Sequence, residues 1–267
     1  MAAVRTIDLT DEHLPSYLLC LEEWNPDAHE AGSRRRRWYE KMRDRGLGVK
    51  LAVDERGQVG GMIQYLPAEQ SVIEGPDLYF VHCIWVHGHK QGRGDCRHQG
   101  LGRTLIESAE EDVRARGAKG LAAWGLWLPF WMKASWFKRY GFVKADREGM
   151  QVLMWKPFAS DALPPRWIRP RKPLDLVPGK VTVTAFVNGW CMAMNLASER
   201  TRRAAADFGD RVAFHEIDTS DRAAVLEWGR SDAIYIDGKE VRTGPPPSYE
   251  KVRAAIARAV ERQARPR

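Results

Sequence analysis

Cys96-Arg97-His98-Gln99-Gly100-Leu101-Gly102-Arg103, running on through residues 104–116, decides how this chain folds. A β-branched and aromatic run at Leu78–Val86 precedes it and predicts a strand. Behind the loop, Leu101, Leu105, Ala109 and Val113 recur every four residues, while Glu107, Glu110, Glu111, Asp112, Arg114 and Arg116 fill the other face. That pattern predicts an amphipathic helix stopped by Gly117. The unit is therefore strand, basic glycine loop, helix. Gly100 and Gly102 carry no side chain, so backbone N–H groups can approach a ligand closely. The first helical turn leaves N–H groups unpaired at the positive end of the dipole. Together they predict an anion site that suits a pyrophosphate, with Arg93, Arg97 and Arg103 adding charge. A tight strand-to-helix turn with no ligand is the blander alternative.

Composition narrows the class. The 267 residues allow one large domain or two ordinary ones, and 44% hydrophobic content supports packed cores. The net charge of +7 gathers in runs at residues 34–37, 166–172 and 262–267. No nucleic-acid-binding motif lies beside them, so the expectation is a solvated basic face that draws in an anion, and no nucleic-acid partner. Cys20, Cys83, Cys96 and Cys191 show neither a Cys-x-x-Cys nor metal-ligand spacing, so no metal is expected and a reducing cytoplasm fits. There is no signal-peptide apolar region and no run approaching the ~20 apolar residues of a membrane helix, so no membrane partner is expected. Eleven tryptophans is a high number, and most fall before residue 170.

In order, residues 4–9 predict a strand, 11–23 a helix broken at Pro26, and 33–45 a basic helix capped by Ser33 with Trp38 and Met42 inward. Residues 49–53 and 59–66 flank a hairpin turn. After the glycine loop and its helix come a strand at 121–128, a helix at 129–139 and a last strand at 150–155. Residues 158–180 carry five prolines among charges and read as a linker. From Val181 the order is β-α-β-α-β-β-α: strand 181–187, helix 192–208, strand 211–217, helix 222–228, a hairpin around Asp237-Gly238, and a helix capped by Ser248.

Arg97-x-x-Gly100-x-Gly102 resembles the acyl-CoA pyrophosphate loop of the GNAT acetyltransferases, in which Gln/Arg-x-x-Gly-x-Gly/Ala joins a central strand to a long helix. Ala134-Ser-Trp-Phe-Lys-Arg-Tyr-Gly-Phe142 is similar to the family's second helix ending. The glycine spacing matches neither the Rossmann nor the P-loop fingerprint. The resemblance covers residues 1–158 and implies an α/β chain with a central mixed, splayed sheet. It also implies acetyl-CoA as co-substrate and an enzyme moving acetyl to the amine of a small molecule by direct attack, without an acyl-enzyme. By the resemblance, Ile84, Trp85 and Val86 present backbone groups to the pantetheine. Arg97, His98, Gln99, Gly100, Leu101, Gly102 and Arg103 take the pyrophosphate.

The chemistry needs a base, and a proton for the leaving thiolate. Side chains two apart share a strand face, so Phe80, His82, Ile84 and Val86 are expected to point one way. Phe80 stands where the family often has glutamate, and His82, two residues on, is the candidate base; a histidine hydrogen-bonded in the core is the alternative. Glu30, Glu74 and His87 are weaker candidates. Phe137 stands where the family has the tyrosine that serves as acid, which leaves Tyr140, water, or no acid at all, CoA thiolate being a fair leaving group. Trp124, Trp127 and Trp131, with Phe130 and Trp136, cluster beside the expected acceptor cleft, where aromatic faces could hold a flat or cationic acceptor.

The second half resembles thioredoxin, with Trp190-Cys191 where that family has Trp-Cys-x-x-Cys. Met194 replaces the second cysteine, and Arg230-Ser231-Asp232-Ala233 stands where the cis-proline would be. The domains expected are residues 1–158, a linker at 159–180, and a smaller thioredoxin-like α/β domain at 181–267, an arrangement that resembles the bacterial YoaP-like acetyltransferases. Cys191 at a helix start is a candidate reactive thiol. A non-catalytic acyl-CoA sensor, and a thiol or redox role at Cys191, stay open beside the enzyme. Self-association into a homodimer also stays open.

Overall fold

The computed structural model describes residues 4–128, 132–241 and 245–264. Two compact units emerge: Met1–Trp24 with Glu40–Ile168, and Asn25–Tyr39 with Arg169–Arg267. In chain order the elements up to the second half are β1 (Arg5–Asp8), α1 (Leu14–Leu18), α2 (Pro26–Glu30), α3 (Arg34–Met42), β2 (Gly48–Val53), β3 (Val59–Pro67), β4 (Ile73–Glu74) and β5 (Leu78–Val86). There follow α4 (Leu101–Ala115), β6 (Gly120–Leu126), α5 (Ala134–Lys138), β7 (Val143–Glu148), β8 (Gln151–Pro157) and β9 (Arg166–Trp167).

The first unit is built on a mixed sheet, as the sequence reading expects, with seven strands in the order β1-β2-β3-β5-β6-β8-β7. All neighbours are antiparallel except β5 and β6, which run parallel. Helix α4 lays Leu101, Leu105, Ile106, Ala109 and Val113 on one face of the sheet, against Ile63, Val81, Leu121 and Ala123. Its fourfold apolar repeat is the stripe that is buried. The other face carries Leu78, Phe80, Ala122, Leu153, Trp155 and Trp167.

The local differences have local causes. The helix expected over 11–23 is confined to α1, because Cys20 and Leu21 turn to positive φ, 53° and 63°. Pro26, expected to break a helix, opens one instead: it is the first residue of α2, where its missing N–H costs nothing, and Asn25 accepts from the Asp27 N–H at 3.0 Å. β7 was not expected at all. Its sequence Val-Lys-Ala-Asp-Arg-Glu is polar, and as the sheet's edge it buries no alternating face. Within the proline-rich stretch, β9 pairs with β4 and the Trp167 N–H donates to Asp146 at 2.9 Å.

The second unit has β10 (Val181–Val187), α6 (Met192–Ala206), β11 (Val212–Asp218), α7 (Arg222–Trp228), β12 (Ala233–Ile236), β13 (Lys239–Glu240) and α8 (Tyr249–Ala264). Its sheet order is β11-β10-β12-β13, with β10 and β11 parallel. Asp237 and Gly238 both take positive φ, 49° and 73°, as a two-residue hairpin of this kind requires. Ser248 Oγ accepts from the Lys251 N–H at 3.3 Å, the cap expected for α8. Helix α2 and the first turns of α3 belong here too. Arg200 binds Asp27 at 2.7 Å and Glu30 at 2.8 Å, and Arg34 binds Glu199 at 3.1 Å and Glu216 at 2.9 Å.

Candidate active site

Strands β5 and β6 pair only over Leu78–Val81 and Gly120–Ala123. Both continue for several residues beyond, to Val86 and Leu126, without a shared ladder. The parallel pair therefore opens into a wedge, and the Trp124 indole N–H, donating to the His82 carbonyl at 2.8 Å, stands at its start. Ile84, Trp85 and Val86 border this wedge, and β3 pairs their other edge.

The pairing of β5 with β3 slips where Gln64 faces Cys83 but Tyr65 faces Val81, so His82 is the extra residue of a β-bulge. This corrects the expectation that Phe80, His82, Ile84 and Val86 share a face. Phe80 packs with the Trp167 side of the sheet, whereas Ile84 and Val86 pack with Val81 toward α4. His82 stays on the Phe80 side, with ring centroids 5.1 Å apart. It is 1% exposed, and its Nε2 lies 3.0 Å from Ser71 Oγ. Burial holds its imidazole down to about 3, so the ring is neutral at physiological pH.

Past Val86 the loop is built from the inside. His87 is fully buried; its N–H donates to the Gly60 carbonyl at 2.9 Å and its own carbonyl takes the Cys96 N–H at 2.9 Å. Gly100 opens α4 in the left-handed region, φ 87°, and no side chain caps the helix. The first helical N–H partner is Thr104 to the Gly100 carbonyl, at 3.1 Å. The N–H groups of Leu101, Gly102 and Arg103 thus project from the helix end, the arrangement that favours an anion. A Cβ on Gly102 would lie 3.3 Å from the Trp136 ring, so glycine also lets that ring close on the first turn.

The three arginines do not stand as loose charge. Asp95 accepts from the Arg97 N–H at 3.0 Å, from Nε at 2.9 Å and from Nη2 at 2.6 Å. The Arg97 guanidinium in turn holds the Asp95 carboxyl far below the usual range. Arg103 pairs with Glu107 at 2.8 Å. Arg93 pairs with Glu23 and donates to the Val59 carbonyl and Ser16 Oγ, both at 2.9 Å, which makes it a brace of the loop. His98, at φ 62°, and Gln99, whose Nε2 donates to the Asp95 carbonyl at 3.2 Å, complete the turn.

Tyr140 lies on the α4 side, its ring 4.6 Å from Trp136, in a hollow lined by Arg103, Glu107, Glu110, Arg139 and Lys156. His82 packs on the opposite face, so the structure does not bring the two expected acid–base residues together. Phe137 is core. Trp127 is 64% exposed under the Arg147 guanidinium, which sits 4.9 Å from the ring centroid. Trp131 and Phe130 lie outside the described residues. Glu22, Trp24 and His89 went unremarked in the sequence. Glu22 and Trp24 lie some sixty residues from β5 in the chain, and only the doublet His87-Gly88-His89 could have pointed there.

In the second unit Cys191 stands at the start of α6 in extended conformation, again without a side-chain cap. Asp232 accepts from the Asn188 N–H and from the Ser231 hydroxyl, both at 3.1 Å. Burial pushes its carboxyl up to about 6.

Residues 7–127 match the family model described as Acetyltransferase (GNAT) family. The chain therefore contains a GNAT acetyltransferase domain. No curated protein matches the sequence. Among solved structures, the chain is similar to a GNAT family N-acetyltransferase (YhbS) from Escherichia coli in complex with CoA. The two share 16% identity over 62% of this chain and 89% of that one, with a TM-score of 0.42. It is also similar to a GNAT acetyltransferase from Brucella melitensis in complex with acetyl-CoA (16% identity, 60% and 90% covered, TM-score 0.41). A third is an acetyltransferase of the GNAT family from Staphylococcus aureus (10% identity, 59% and 100% covered, TM-score 0.43). Among the described residues, no helix is long and apolar enough to cross a membrane, and no group of three or more His, Cys, Asp or Glu could hold a metal ion.

Proposed function

We propose that the first unit uses acetyl-CoA as co-substrate and transfers its acetyl group to the amine of a small molecule, by direct attack on the thioester. One observation carries the reading: the wedge between β5 and β6 leads to an uncapped helix end fronted by Gly100 and Gly102. Pantetheine suits the wedge, where Ile84, Trp85 and Val86 offer backbone groups. The pyrophosphate suits the N–H groups of residues 98–103, with the Arg97 and Arg103 side chains exposed beside them. Trp124 and Trp127 fit as walls for the acceptor. Tyr140 is the candidate proton donor to the leaving thiolate.

The burial of His82 and the phenylalanine at position 137 favour one second reading, a domain that binds acyl-CoA without turnover. For the second unit, the order of strands and helices and the placing of Cys191 support a thioredoxin-like module that has lost its dithiol, as in the YoaP-like arrangement.

Calorimetric titration with acetyl-CoA tests the site. The expected outcome is saturable binding by the wild type and none by Gly100→Glu, with Gly100→Ala, which strains the left-handed turn without adding charge, weakened less. Failure of the wild type to bind sinks both readings of the first unit. Binding without turnover over a broad panel of amines favours the non-catalytic one.

A further inference from the structure

Three histidines follow one another along β5 and the start of the loop, and the structure gives them three different lives. His82 is sealed in the bulge. His87 has both ring nitrogens committed: Nε2 accepts from the Trp24 indole N–H at 3.2 Å, so Nδ1 carries the proton and donates to the Gly94 carbonyl at 2.7 Å. A ring held in that tautomer on both sides is scaffold, and it fixes Trp24 in turn.

His89 is different. Its side chain is 44% exposed, and its Nε2 lies 3.6 Å from the Glu22 carboxylate, which is itself only 10% exposed. The Trp24 and Trp85 rings flank it, with centroids 5.4 Å and 6.2 Å away, and the His87 ring lies at 5.6 Å. Lys90 follows it on the same loop, and Glu23, next to Glu22 in the chain, is paired with Arg93. At 3.6 Å the contact is longer than a hydrogen bond, but a carboxylate on that side of the ring can orient the imidazole and leave the other nitrogen to accept a proton, and catalytic contacts of this length in a free enzyme often tighten when substrate binds.

The geometry points to His89, oriented by Glu22 and walled by Trp24 and Trp85, as the general base that takes the proton from an ammonium acceptor. The assignment rests on the acetyltransferase reading of the first unit. The tryptophan faces and the Glu22 carboxylate suit a cation carried on an apolar or aromatic body. The ammonium gives one proton to Nδ1 of His89, and the neutral amine adds to the thioester carbonyl carbon. The C–S bond breaks and CoA leaves as thiolate. The second nitrogen proton neutralises that thiolate, directly or by replacing a proton that Tyr140 has given it, and the imidazolium returns its proton to water. Glu22 takes no proton in this sequence of steps and acts as a positioning residue.

The test follows release of CoA thiol from acetyl-CoA, in buffer alone and with 2-phenylethylamine as probe amine. It compares the wild type with His89→Gln, Glu22→Gln, Glu22→Asp and His82→Gln, and acetyl-CoA binding is measured by calorimetry for each. The expected result is a fall of about a hundredfold or more for His89→Gln with acetyl-CoA binding unchanged. Glu22→Gln should fall less, in kcat with acetyl-CoA binding unchanged, and Glu22→Asp should restore part of the rate, a pattern that merely structural damage would not produce. A His89→Gln enzyme working at the wild-type rate, or one in which only His82→Gln is impaired, overturns the assignment. So does a wild type that binds acetyl-CoA yet releases no thiol under either condition. A wild type that does not bind acetyl-CoA overturns the acetyltransferase reading instead.

Discussion

Two fifteen-residue helices, α4 and α6, follow a strand and a connecting turn, and both begin without a side-chain cap. Each carries the same partial positive charge at its start. Their surroundings separate them. The turn before α4 is glycine-rich and exposed, and a Cβ on Gly100 would meet nothing within 4 Å. The turn before α6 carries the Cys191 thiol, and Asn195 behind it is buried with its amide donating to the Gly189 carbonyl at 2.9 Å. The Asp232 carboxylate draws bonds from Asn188 and Ser231 nearby. One end is open to a large anion. The other is crowded and has an acid in its neighbourhood. A helix dipole alone does not make a site; the size and charge of the few residues before the helix decide.

The largest effects are expected at α4. Beyond Gly100→Glu, Leu105→Ala should cost about 2–5 kcal/mol of the first unit's stability, because the side chain is fully buried between the helix and the sheet. Urea unfolding followed at the first unit's tryptophans would show it, and a loss well under 1 kcal/mol would mean that α4 is not firmly seated.

At the α6 end the sensitive group is Asp232. Its folded value, about 6, lies above the ordinary value of 3.8, so the folded state holds a proton that the unfolded state has released. Stability from this group is fully present below about pH 4, declines as pH rises through 6, and is gone above it. The change amounts to at most about 3 kcal/mol. Asp232→Asn should flatten that decline and raise the melting temperature at pH 7. Unfolding midpoints measured between pH 4 and 7 would show the same slope in both proteins if the carboxyl were not responsible.

The smallest effects concern the Arg97–Asp95 pair, both partners of which are well exposed. Arg97→Ala should weaken acetyl-CoA binding several-fold and Asp95→Asn should tighten it by a similar factor, since Asp95 competes with a phosphate for the same guanidinium. Both effects should fade as salt is raised, and neither should move the melting temperature measurably. Equal behaviour of the two variants would show that Arg97 does not meet the ligand.

Much of this was legible in the sequence because it is local. The alternation of Val181–Val187, the Asp237-Gly238 hairpin, the fourfold stripe of α4 and the Gly100-x-Gly102 turn all depend on residues within one turn or one strand of each other. β7 escaped because an edge strand carries no apolar signature. The inward or outward sense of Ile84 and Val86 escaped because a one-residue bulge at His82 reverses strand parity, and nothing in the strand's composition announces it.

The sequence by itself determined the order of elements, the helix stripes and the glycine turn, since dihedral preference and hydrophobic period act over a few residues. Tertiary structure alone decided the partners. It committed Arg93 to Glu23, buried His82, locked His87 between Trp24 and Gly94, and left His89 facing Glu22. It also joined residues 25–39 to the second unit. Charge pairing and burial depend on which distant segments the folded chain brings within a few ångströms, and neither composition nor periodicity carries that information.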